Sequence, residues 1–447
     1  MPELPEVESV RLRLSPYVID KSIESIDIFY DKYNHLKEIN GETIIDLKRK
    51  GKFLIFIMKN HIMVSHLRME GKYRIEDNPK KDKHDLVFFH LSNKKTLVYN
   101  DVRKFGVFNV FSKDIDIYKV EPLSNVGDEP FNIDKESFYN NIHKNNGPIK
   151  STLLDQSIMS GLGNIYANEV LFLAGINPFR KSNSLSKDET DKLIEASIDI
   201  LNRAIKAGGT TVRSFESFNG ESGHFQGNLL VHEKERCNIC NNFIIKEKCG
   251  GRGTYYCPSC ERSHNYKLYA ITGSYASGKS TVLSIIKDIG FTTFSLDSIY
   301  NELFETDQKL QREILKNFKT LDKKEISNIV YNDNEKNELL KNITHKYIFK
   351  ELFRRIDESD SNTIFVEVPL LFEGSYEKIF DKIIDVYESE KIKDIIISKR
   401  NLNNYDIVVR NQLSKEEKKN RSDYIIFNDS ALDDLKKKVL GLIEELK

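Results

Sequence analysis

The chain has 447 residues, of which 39% are hydrophobic and 30% are charged, and its formal net charge is zero. This length predicts two to four domains, and the balanced charge excludes a uniformly basic nucleic-acid-binding protein, so any nucleic-acid site must be a local patch. The sequence has no apolar run of membrane-spanning length and no secretory signal. We therefore expect a cytoplasmic protein without a membrane partner.

The first eight residues carry two prolines and three carboxylates. Removal of Met1 would leave Pro2 as a free secondary amine, and an α-amino group titrates at about pH 8. A neutral amine can form a Schiff base with a sugar aldehyde carbon, and Glu3 and Glu6 would be placed for proton transfer. The same residues also suit a plain helix start with glutamate in its first turn.

The hydrophobic period changes along the first half of the chain. A period near 3.6 predicts a helix over residues 1–20 that ends near Ser15-Pro16, and a period of two then predicts a sandwich-like antiparallel layer. The predicted strands are 22–30, 42–48, 52–59, 61–67, 86–91, 96–99 and 106–111. A linker-like stretch over 114–130 precedes helical patterns over 134–207.

Two glycine-rich stretches follow in the helical part. A Gly-Leu-Gly-Asn turn at 161–164 joins two predicted helices, and its N–H groups could bind a phosphate, although a plain helical hairpin with a glycine cap has the same pattern. Residues 208–226 are rich in Gly, Ser and Thr. They predict either a loop that closes over a ligand or a simple surface connection.

The five cysteines lie close together, and four of them form two C-x2-C pairs. The members of these pairs are Cys237, Cys240, Cys257 and Cys260. The spacing predicts a structural four-thiolate zinc site in a reducing compartment, with Cys249 outside the ligand set. Arg252 would lie at the tip of the hairpin between the pairs, either to reach phosphate or as a solvated turn residue.

With these motifs in order, residues 1–262 resemble formamidopyrimidine-DNA glycosylase, a bifunctional base-excision repair enzyme for oxidised purines. The motifs are Pro-Glu-Leu-Pro-Glu-Val-Glu at 2–8, Gly-Lys-Phe at 51–53, His-Leu-Arg-Met-Glu-Gly at 66–71, Asp-Val-Arg-Lys-Phe-Gly at 101–106, Gly-Asn-Ile-Tyr-Ala at 163–167 and the zinc hairpin with Arg252. The resemblance implies an N-terminal β-sandwich domain over 1–113, a helix-two-turn-helix DNA-binding domain over 131–230 and a zinc finger hairpin over 231–262.

The resemblance also implies a role for each site residue. Pro2 would attack the sugar carbon, Glu3 would protonate the departing sugar oxygen, and Lys52 and Arg252 would hold phosphates during the β,δ-eliminations. The partner would be double-stranded DNA with oxidised bases such as 8-oxoguanine and formamidopyrimidines. The implied DNA-contacting residues are Glu6, Met69, His84, Arg103, Phe105, Lys150 and Asn164.

Among these, Met69, Arg103 and Phe105 would fill the gap that the flipped nucleotide leaves. The related endonuclease for oxidised pyrimidines is the alternative, and it fits these three residues less well. Two departures from the family pattern are the run at 231–234, where Tyr-Gly-Arg is usual, and Glu261, where glutamine is usual.

A second pattern begins at residue 267, where a strand runs into Gly-x4-Gly-Lys-Ser and a helix. In this context the motif predicts a phosphate-binding loop in which Lys279 reaches the β- and γ-phosphates of ATP and Ser280 binds Mg²⁺. The residues expected to hold the nucleotide are Gly273, Ala276, Ser277, Gly278, Lys279, Ser280 and Thr281. Asp297 follows the next strand and could orient or deprotonate an acceptor hydroxyl.

Further strands at 291–296, 363–368, 382–387 and 423–427 complete a five-stranded parallel α/β pattern. With Val-Pro-Leu-Leu-Phe-Glu at 368–373, Gln412 and Ser422–Asn428, residues 268–447 resemble a dephospho-coenzyme A kinase. In that family ATP phosphorylates a ribose hydroxyl of dephospho-coenzyme A, and Asp297 would be the base. The family lid carries two arginines, of which Arg400 alone remains, although Lys399 or Arg410 could compensate.

The sequence thus predicts a monomeric two-function enzyme that uses structural zinc, ATP and Mg²⁺. Alternatives are a kinase-like half that is degenerate or acts on another small molecule, such as a nucleoside, and a non-catalytic DNA-binding scaffold with an ATP-binding module. A retained Met1 would support the scaffold. The join at 263–267 is short, so the zinc hairpin and the kinase sheet should lie close together.

Overall fold

The computed structural model describes residues 1–210, 223–331, 333–359, 361–390, 392–393 and 412–446. Contacts divide the chain into two compact units, Met1–Lys234 with Lys246–Tyr256, and Glu235–Ile245 with Cys257–Lys447. Most of the predicted closing loop, and the lid residues Lys399, Arg400 and Arg410, lie outside the described residues. Within the described ranges, no helix is long and apolar enough to cross a membrane. The division into four domains stays a prediction.

The first unit begins with helix α1, Leu4–Val18, and an antiparallel sheet. Its strands are β1 Lys21–Ile28, β2 Thr43–Lys50, β3 Phe53–Met58, β4 His61–His66, β5 Lys72–Glu76, β6 Asp85–Leu91, β7 Thr96–Asn100 and β8 Val107–Ser112. They pair in the order β5-β7-β6-β1-β2-β3-β4-β8. Residues from both halves of this order, such as Phe56 and Tyr99, pack with α1 into one core, which confirms the predicted leading helix and sandwich.

Two details differ from the sequence prediction. Helix α1 continues through Pro16 and ends at Val18, because a proline in the last turn removes only one of the remaining helical hydrogen bonds. Strand β5 was not predicted, since Tyr73 is its only buried residue and an alternating pattern is therefore hard to recognise.

The helices of the first unit confirm the pattern predicted over 134–207. They are α2 Lys135–His143, α3 Ile149–Leu153, α4 Asn164–Ala174 and α5 Lys187–Lys206. Helix α5 starts with a capping box between Ser186 and Glu189, and its apolar side packs with that of α4 in a second core. Strands β9 Ile245–Cys249 and β10 Arg252–Tyr256 form a two-stranded sheet.

The second unit contains the predicted five-stranded parallel sheet. Its strands are β11 Lys267–Thr272, β12 Thr292–Ser295, β13 Thr363–Glu367, β14 Lys382–Glu388 and β15 Tyr424–Asn428, in the order β12-β13-β11-β14-β15. The helices are α6 Lys279–Asp288, α7 Leu296–Thr306, α8 Gln308–Phe318, α9 Lys323–Tyr331, α10 Asn334–Ser359, α11 Lys415–Arg421 and α12 Leu432–Leu446. Because β11 lies between β13 and β14, its carboxyl end is the point at which ligands bind in such sheets.

Candidate active sites

The side chain of Glu3 is buried against the start of α4. Its Oε2 accepts the N–H of Gly163 at 2.6 Å, and its Oε1 accepts the N–H of Ile165 at 2.9 Å. The N–H groups considered as a phosphate site thus bind a carboxylate of the same chain. Burial raises the pKa of Glu3 and the nearby Glu6 charge adds to the rise, although Lys52 and the backbone donors oppose it. A carboxyl group with a raised pKa is suited to donate a proton near neutral pH.

Glu6 fixes the N-terminal segment in this position. Its Oε2 accepts the N–H of Glu3 at 2.9 Å. Its Oε1 accepts the hydroxyl of Tyr166 at 2.8 Å, the N–H of Thr210 at 2.7 Å and the hydroxyl of Thr210 at 3.0 Å. The carboxylate is therefore fully used in holding α1, α4 and residue 210 together, while the contact of Glu6 with DNA stays a prediction.

Lys52 and the amino terminus complete this buried site. Lys52 Nζ donates to the carbonyl of Leu162 at 2.6 Å; burial lowers the pKa of Lys52, and the Arg252 charge lowers it further. Pro2 is buried, and burial also lowers the pKa of the amino terminus at Met1. The fold thus brings Pro2, Glu3 and Lys52 together, with the exposed Arg252 within electrostatic reach.

Glu129 is a site-supporting residue that the sequence analysis missed. Its Oε1 accepts the N–H of Gly51 at 2.6 Å, and its Oε2 accepts Nη2 of Arg49 at 2.9 Å. Gly51 lies directly before Lys52 and Arg49 lies three residues before it, so Glu129 fixes the segment that presents this lysine. The stretch around Glu129 has the composition of a linker and gave no local signal of this role.

The residues expected to fill the DNA gap lie at the surface of the first unit. The side chains of Met69 and Phe105 are 38% and 50% exposed, and the Arg103 guanidinium lies 4.7 Å from the ring centroid of Phe105. Large exposed apolar side chains are what a wedge between base steps requires. His84 is half-buried before β6, and its carbonyl accepts the N–H of Asp101 at 3.0 Å.

Lys150 and Asn164 hold the hairpin that carries Arg252. Lys150 is buried, and its Nζ donates to the carbonyl of Gly253 at 3.1 Å and to the hydroxyl of Thr254 at 2.8 Å. Asn164 Nδ2 donates to the same Gly253 carbonyl at 3.0 Å. These two side chains therefore support the neighbour of Arg252, and their contact with phosphate stays a prediction.

The four paired cysteines form one cluster, with all Sγ atoms within 4.8 Å of one another. The separations are 3.7 Å for Cys237–Cys260 and 3.5 Å for Cys240–Cys257. Tetrahedral Zn–S bonds of about 2.3 Å place sulfur atoms about 3.8 Å apart, so the cluster fits structural zinc. Cys249 lies elsewhere, with its Sγ 3.8 Å from the Pro178 carbonyl.

In the second unit, the phosphate-binding motif lies at the carboxyl end of β11. Its residues 275–281 line a cavity of about 300 Å³ together with Asp297, Glu367 and Pro369. Lys279 Nζ donates to the carbonyls of Gly273 at 3.2 Å and Ser274 at 2.7 Å. The hydroxyl of Ser280 donates to Glu367 Oε1 at 2.9 Å. All the predicted loop residues except Gly273 thus line one cavity.

A second cavity, of about 230 Å³, has mainly apolar walls and adjoins the first. Asp297 lines both cavities, and so does Pro369. Burial raises the pKa of Asp297, and the Glu367 charge raises it further. Glu367 was not among the predicted site residues, although its position at the end of a parallel strand beside the phosphate loop is the available signal.

The first site, with Glu3 and Lys52 buried beside the amino terminus, defines a DNA repair glycosylase. The second defines a phosphate-loop kinase. Residues 1–108 match the family model of the formamidopyrimidine-DNA glycosylase N-terminal domain, 121–216 that of the formamidopyrimidine-DNA glycosylase H2TH domain, and 268–434 that of dephospho-CoA kinase.

Relatives agree with the two glycosylase matches. The formamidopyrimidine-DNA glycosylase of Oceanobacillus iheyensis is 43% identical over 275 residues, which cover 58% of this chain and 98% of that protein. The formamidopyrimidine-DNA glycosylase of Mycoplasma mobile is 40% identical over 275 residues, which cover 59% of this chain and 99% of that protein. The chain therefore belongs to the formamidopyrimidine-DNA glycosylase family, and it carries a dephospho-CoA kinase domain after the glycosylase part.

Solved structures of a Lactococcus lactis relative show what that protein binds. A mutant of it in complex with DNA containing Fapy-dG matches with a TM-score of 0.55 and 38% identity, covering 58% of this chain and all of that one. Its complex with DNA containing an abasic site matches with a TM-score of 0.54 and 38% identity, covering 58% of this chain and 99% of that one.

Proposed function

We propose that residues 1–262 excise oxidised purines from duplex DNA and cut the strand at the resulting site, and that residues 268–447 phosphorylate dephospho-coenzyme A. We place both activities in the cytoplasm, in a monomer with one structural zinc ion. The DNA bound by the Lactococcus lactis relative supports the lesion class. The observation that carries the first activity is the buried arrangement of Pro2, Glu3 and Lys52.

Once Met1 is removed, the Pro2 nitrogen attacks the C1′ carbon of the damaged nucleotide. The bond from C1′ to the base breaks, and the base leaves with the proton that the Pro2 nitrogen gives up. Glu3 then gives its proton to the sugar ring oxygen O4′ as the bond from C1′ to O4′ breaks, and the nitrogen lone pair of Pro2 forms an iminium with C1′. Burial supports both roles, because it favours the neutral amine and the protonated carboxyl group.

Strand cutting follows from the iminium. Loss of a proton from C2′ expels the 3′ phosphate, and a second elimination expels the 5′ phosphate. Lys52 and Arg252 neutralise the charge of the two leaving phosphates. Hydrolysis of the remaining imine then releases Pro2.

Borohydride trapping tests this proposal. Reduction of the iminium should attach the protein covalently to a duplex containing 8-oxoguanine, after mass spectrometry has established that Met1 is absent. Pro2→Gly should lose most of the trapped product, and persistent trapping would show that another group is the nucleophile. A duplex containing an oxidised pyrimidine tests the alternative glycosylase type, and a retained Met1 would favour the non-catalytic scaffold.

For the second activity, the position of Asp297 between the two cavities carries the proposal. The loop N–H groups and Lys279 bind the phosphates of ATP, and Ser280 and Glu367 would hold Mg²⁺, which neutralises charge on the transferred phosphoryl group. The acceptor ribose lies in the apolar cavity, where Asp297 accepts the hydroxyl proton as the oxygen attacks the γ-phosphorus and ADP leaves.

An ATP-consumption assay with dephospho-coenzyme A tests this activity. Wild type should consume ATP only when the acceptor is present, and Lys279→Ala should abolish consumption while DNA nicking persists. Nucleosides offered as acceptors test the alternative substrate class. ATP consumption with a nucleoside but not with dephospho-coenzyme A would refute the proposed acceptor.

A further inference from the structure

A third cavity, of about 160 Å³, lies within the second unit beside the apolar acceptor cavity. The two cavities share four wall residues: Lys341, His345, Leu370 and Tyr376. One wall of the third cavity comes from the segment 235–245, called here the zinc knuckle because it carries Cys237 and Cys240. This segment contributes Arg236 and Asn241.

The residues after the last cysteine connect this region to the kinase sheet and its helices. Arg262 Nη2 lies 3.0 Å from Asp381 Oδ1, and the hydroxyl of Ser263 donates to Asp357 Oδ1 at 2.5 Å. These contacts agree with the closeness expected from the short join. The zinc knuckle is therefore part of the same compact unit as the kinase fold.

Arg236 is held in a fixed position at the cavity. Its guanidinium lies 3.9 Å from the ring centroid of Phe243. Nη1 donates to the carbonyl of Asn241 at 3.0 Å, and Nη2 donates to Oδ1 of Asn342 on α10 at 2.5 Å. All three partners are uncharged, so the positive charge of Arg236 is oriented without being neutralised by them.

The other charged groups of the cavity have partners of opposite sign. Lys341 pairs with Glu338 at 2.7 Å, and Glu373 Oε1 pairs with Lys418 at 3.1 Å. Burial lowers the pKa of His345 to about 4, so this ring is neutral at pH 7. Among the described contacts, Arg236 is thus the charged wall residue without a partner of opposite sign, which favours an anionic ligand group beside it.

A second feature points to a ligand with hydrogen-bond donors as well. Oε2 of Glu373 is buried and has no hydrogen-bond partner within the part of the chain that the structure describes. A buried carboxylate oxygen without a donor is costly, and a ligand N–H or O–H would satisfy it. The cavity thus fits a molecule that combines an anion with amide or hydroxyl groups.

We propose that this cavity binds the diphosphate and the adjoining arm of the kinase acceptor, and that Arg236 of the zinc knuckle is a specificity-determining residue of the kinase half. The inference rests on the proposed function. Dephospho-coenzyme A has a diphosphate that Arg236 can bind through a guanidinium fork, and its arm carries hydroxyl and amide donors for Glu373. A nucleoside has no diphosphate and gains nothing from this cavity.

Steady-state kinetics of the full-length zinc-loaded protein test the inference. Arg236→Met should raise the KM for dephospho-coenzyme A by about 10-fold or more, the effect of losing a charge-assisted contact, while kcat and the KM for ATP stay unchanged. Arg236→Lys should restore part of the affinity. Arg354→Met is the matched control, because Arg354 also contacts α10 side chains but lies outside the cavity.

Zinc content is measured for each variant, because Arg236 precedes a zinc ligand. Asn342→Ala, on α10, releases Arg236 without altering the zinc knuckle and should raise the same KM a few-fold. An unchanged acceptor KM in zinc-loaded Arg236→Met, or a fall in kcat alone, would overturn the inference while leaving the kinase activity established. If wild type does not phosphorylate dephospho-coenzyme A at all, the proposed function fails and this inference fails with it.

Discussion

The substitution Glu6→Gln tests the positioning role of Glu6 in the glycosylase site. Glu6 accepts four hydrogen bonds, three at Oε1 and one at Oε2. A glutamine has the same shape but only one accepting oxygen. If that oxygen keeps the three bonds from Tyr166 and Thr210, the new NH₂ group faces the N–H of Glu3.

The cost of this arrangement can be worked out from the hydrogen bonds. One buried backbone donor loses its acceptor, which costs about 1–3 kcal/mol. Residues 2 and 3 can relieve the conflict only by moving, and they carry the nucleophile and the acid. If the full cost appears in the reaction barrier, the trapping rate falls roughly 5- to 150-fold.

Single-turnover borohydride trapping at several pH values is the assay, and Glu24→Gln at an exposed site on β1 is the control. A positioning role predicts that Glu6→Gln lowers the maximal rate, and loss of the Glu6 charge beside Glu3 should also move the alkaline limb of the pH profile to lower pH. A wild-type maximal rate in a folded variant would refute the reasoning.

Three further predictions concern other parts of the molecule. Gly163→Ala should greatly reduce trapping, because its Cβ would lie 2.3 Å from the Glu3 carboxyl carbon, whereas Gly147→Ala meets nothing within 4 Å and should leave the rate unchanged. The kinase kcat/KM should fall as the pH is lowered, because Asp297 must be ionised, and the fall should begin at a higher pH than for an aspartate of ordinary pKa, because the pKa of Asp297 is raised. Asp297→Asn should lose about 10²- to 10⁴-fold in rate, and a pH-independent profile for wild type would contradict this role. Chelation of zinc should raise the acceptor KM and reduce DNA nicking, with both restored by added zinc, and no effect on either activity would contradict the structural role of the cysteine cluster.

Elements and sites with a local sequence signal could be predicted. Alternating residues predicted the long strands, and the spacing of Cys237, Cys240, Cys257 and Cys260 predicted the observed cluster. Strand β5 escaped because a sheet-edge strand that buries only Tyr73 has no regular alternation. Helix α1 was predicted too short because proline is tolerated in a last turn.

The supporting contacts of the sites could not be predicted in this way. Glu6 binds Thr210 across 204 positions, and Glu129 binds Gly51 across 78. In both pairs a carboxylate accepts a backbone N–H, and every residue except proline has such a donor. The sequence pattern therefore contains no cue to the partner, which only the fold selects.

The two catalytic carboxyl groups proposed here have pKa values raised by the same cause, burial, yet they need opposite protonation states. Glu3 must carry a proton when the sugar oxygen departs, so a raised pKa enlarges its active fraction. Asp297 must be ionised, so the same direction of shift strengthens it as a base only while its pKa stays below the working pH. Their neighbours match this difference: Glu6 adds negative charge beside Glu3, whereas Lys279 opposes the rise at Asp297. Replacing Lys279 should therefore weaken the kinase in two ways, by removing a phosphate contact and by leaving a larger fraction of Asp297 protonated.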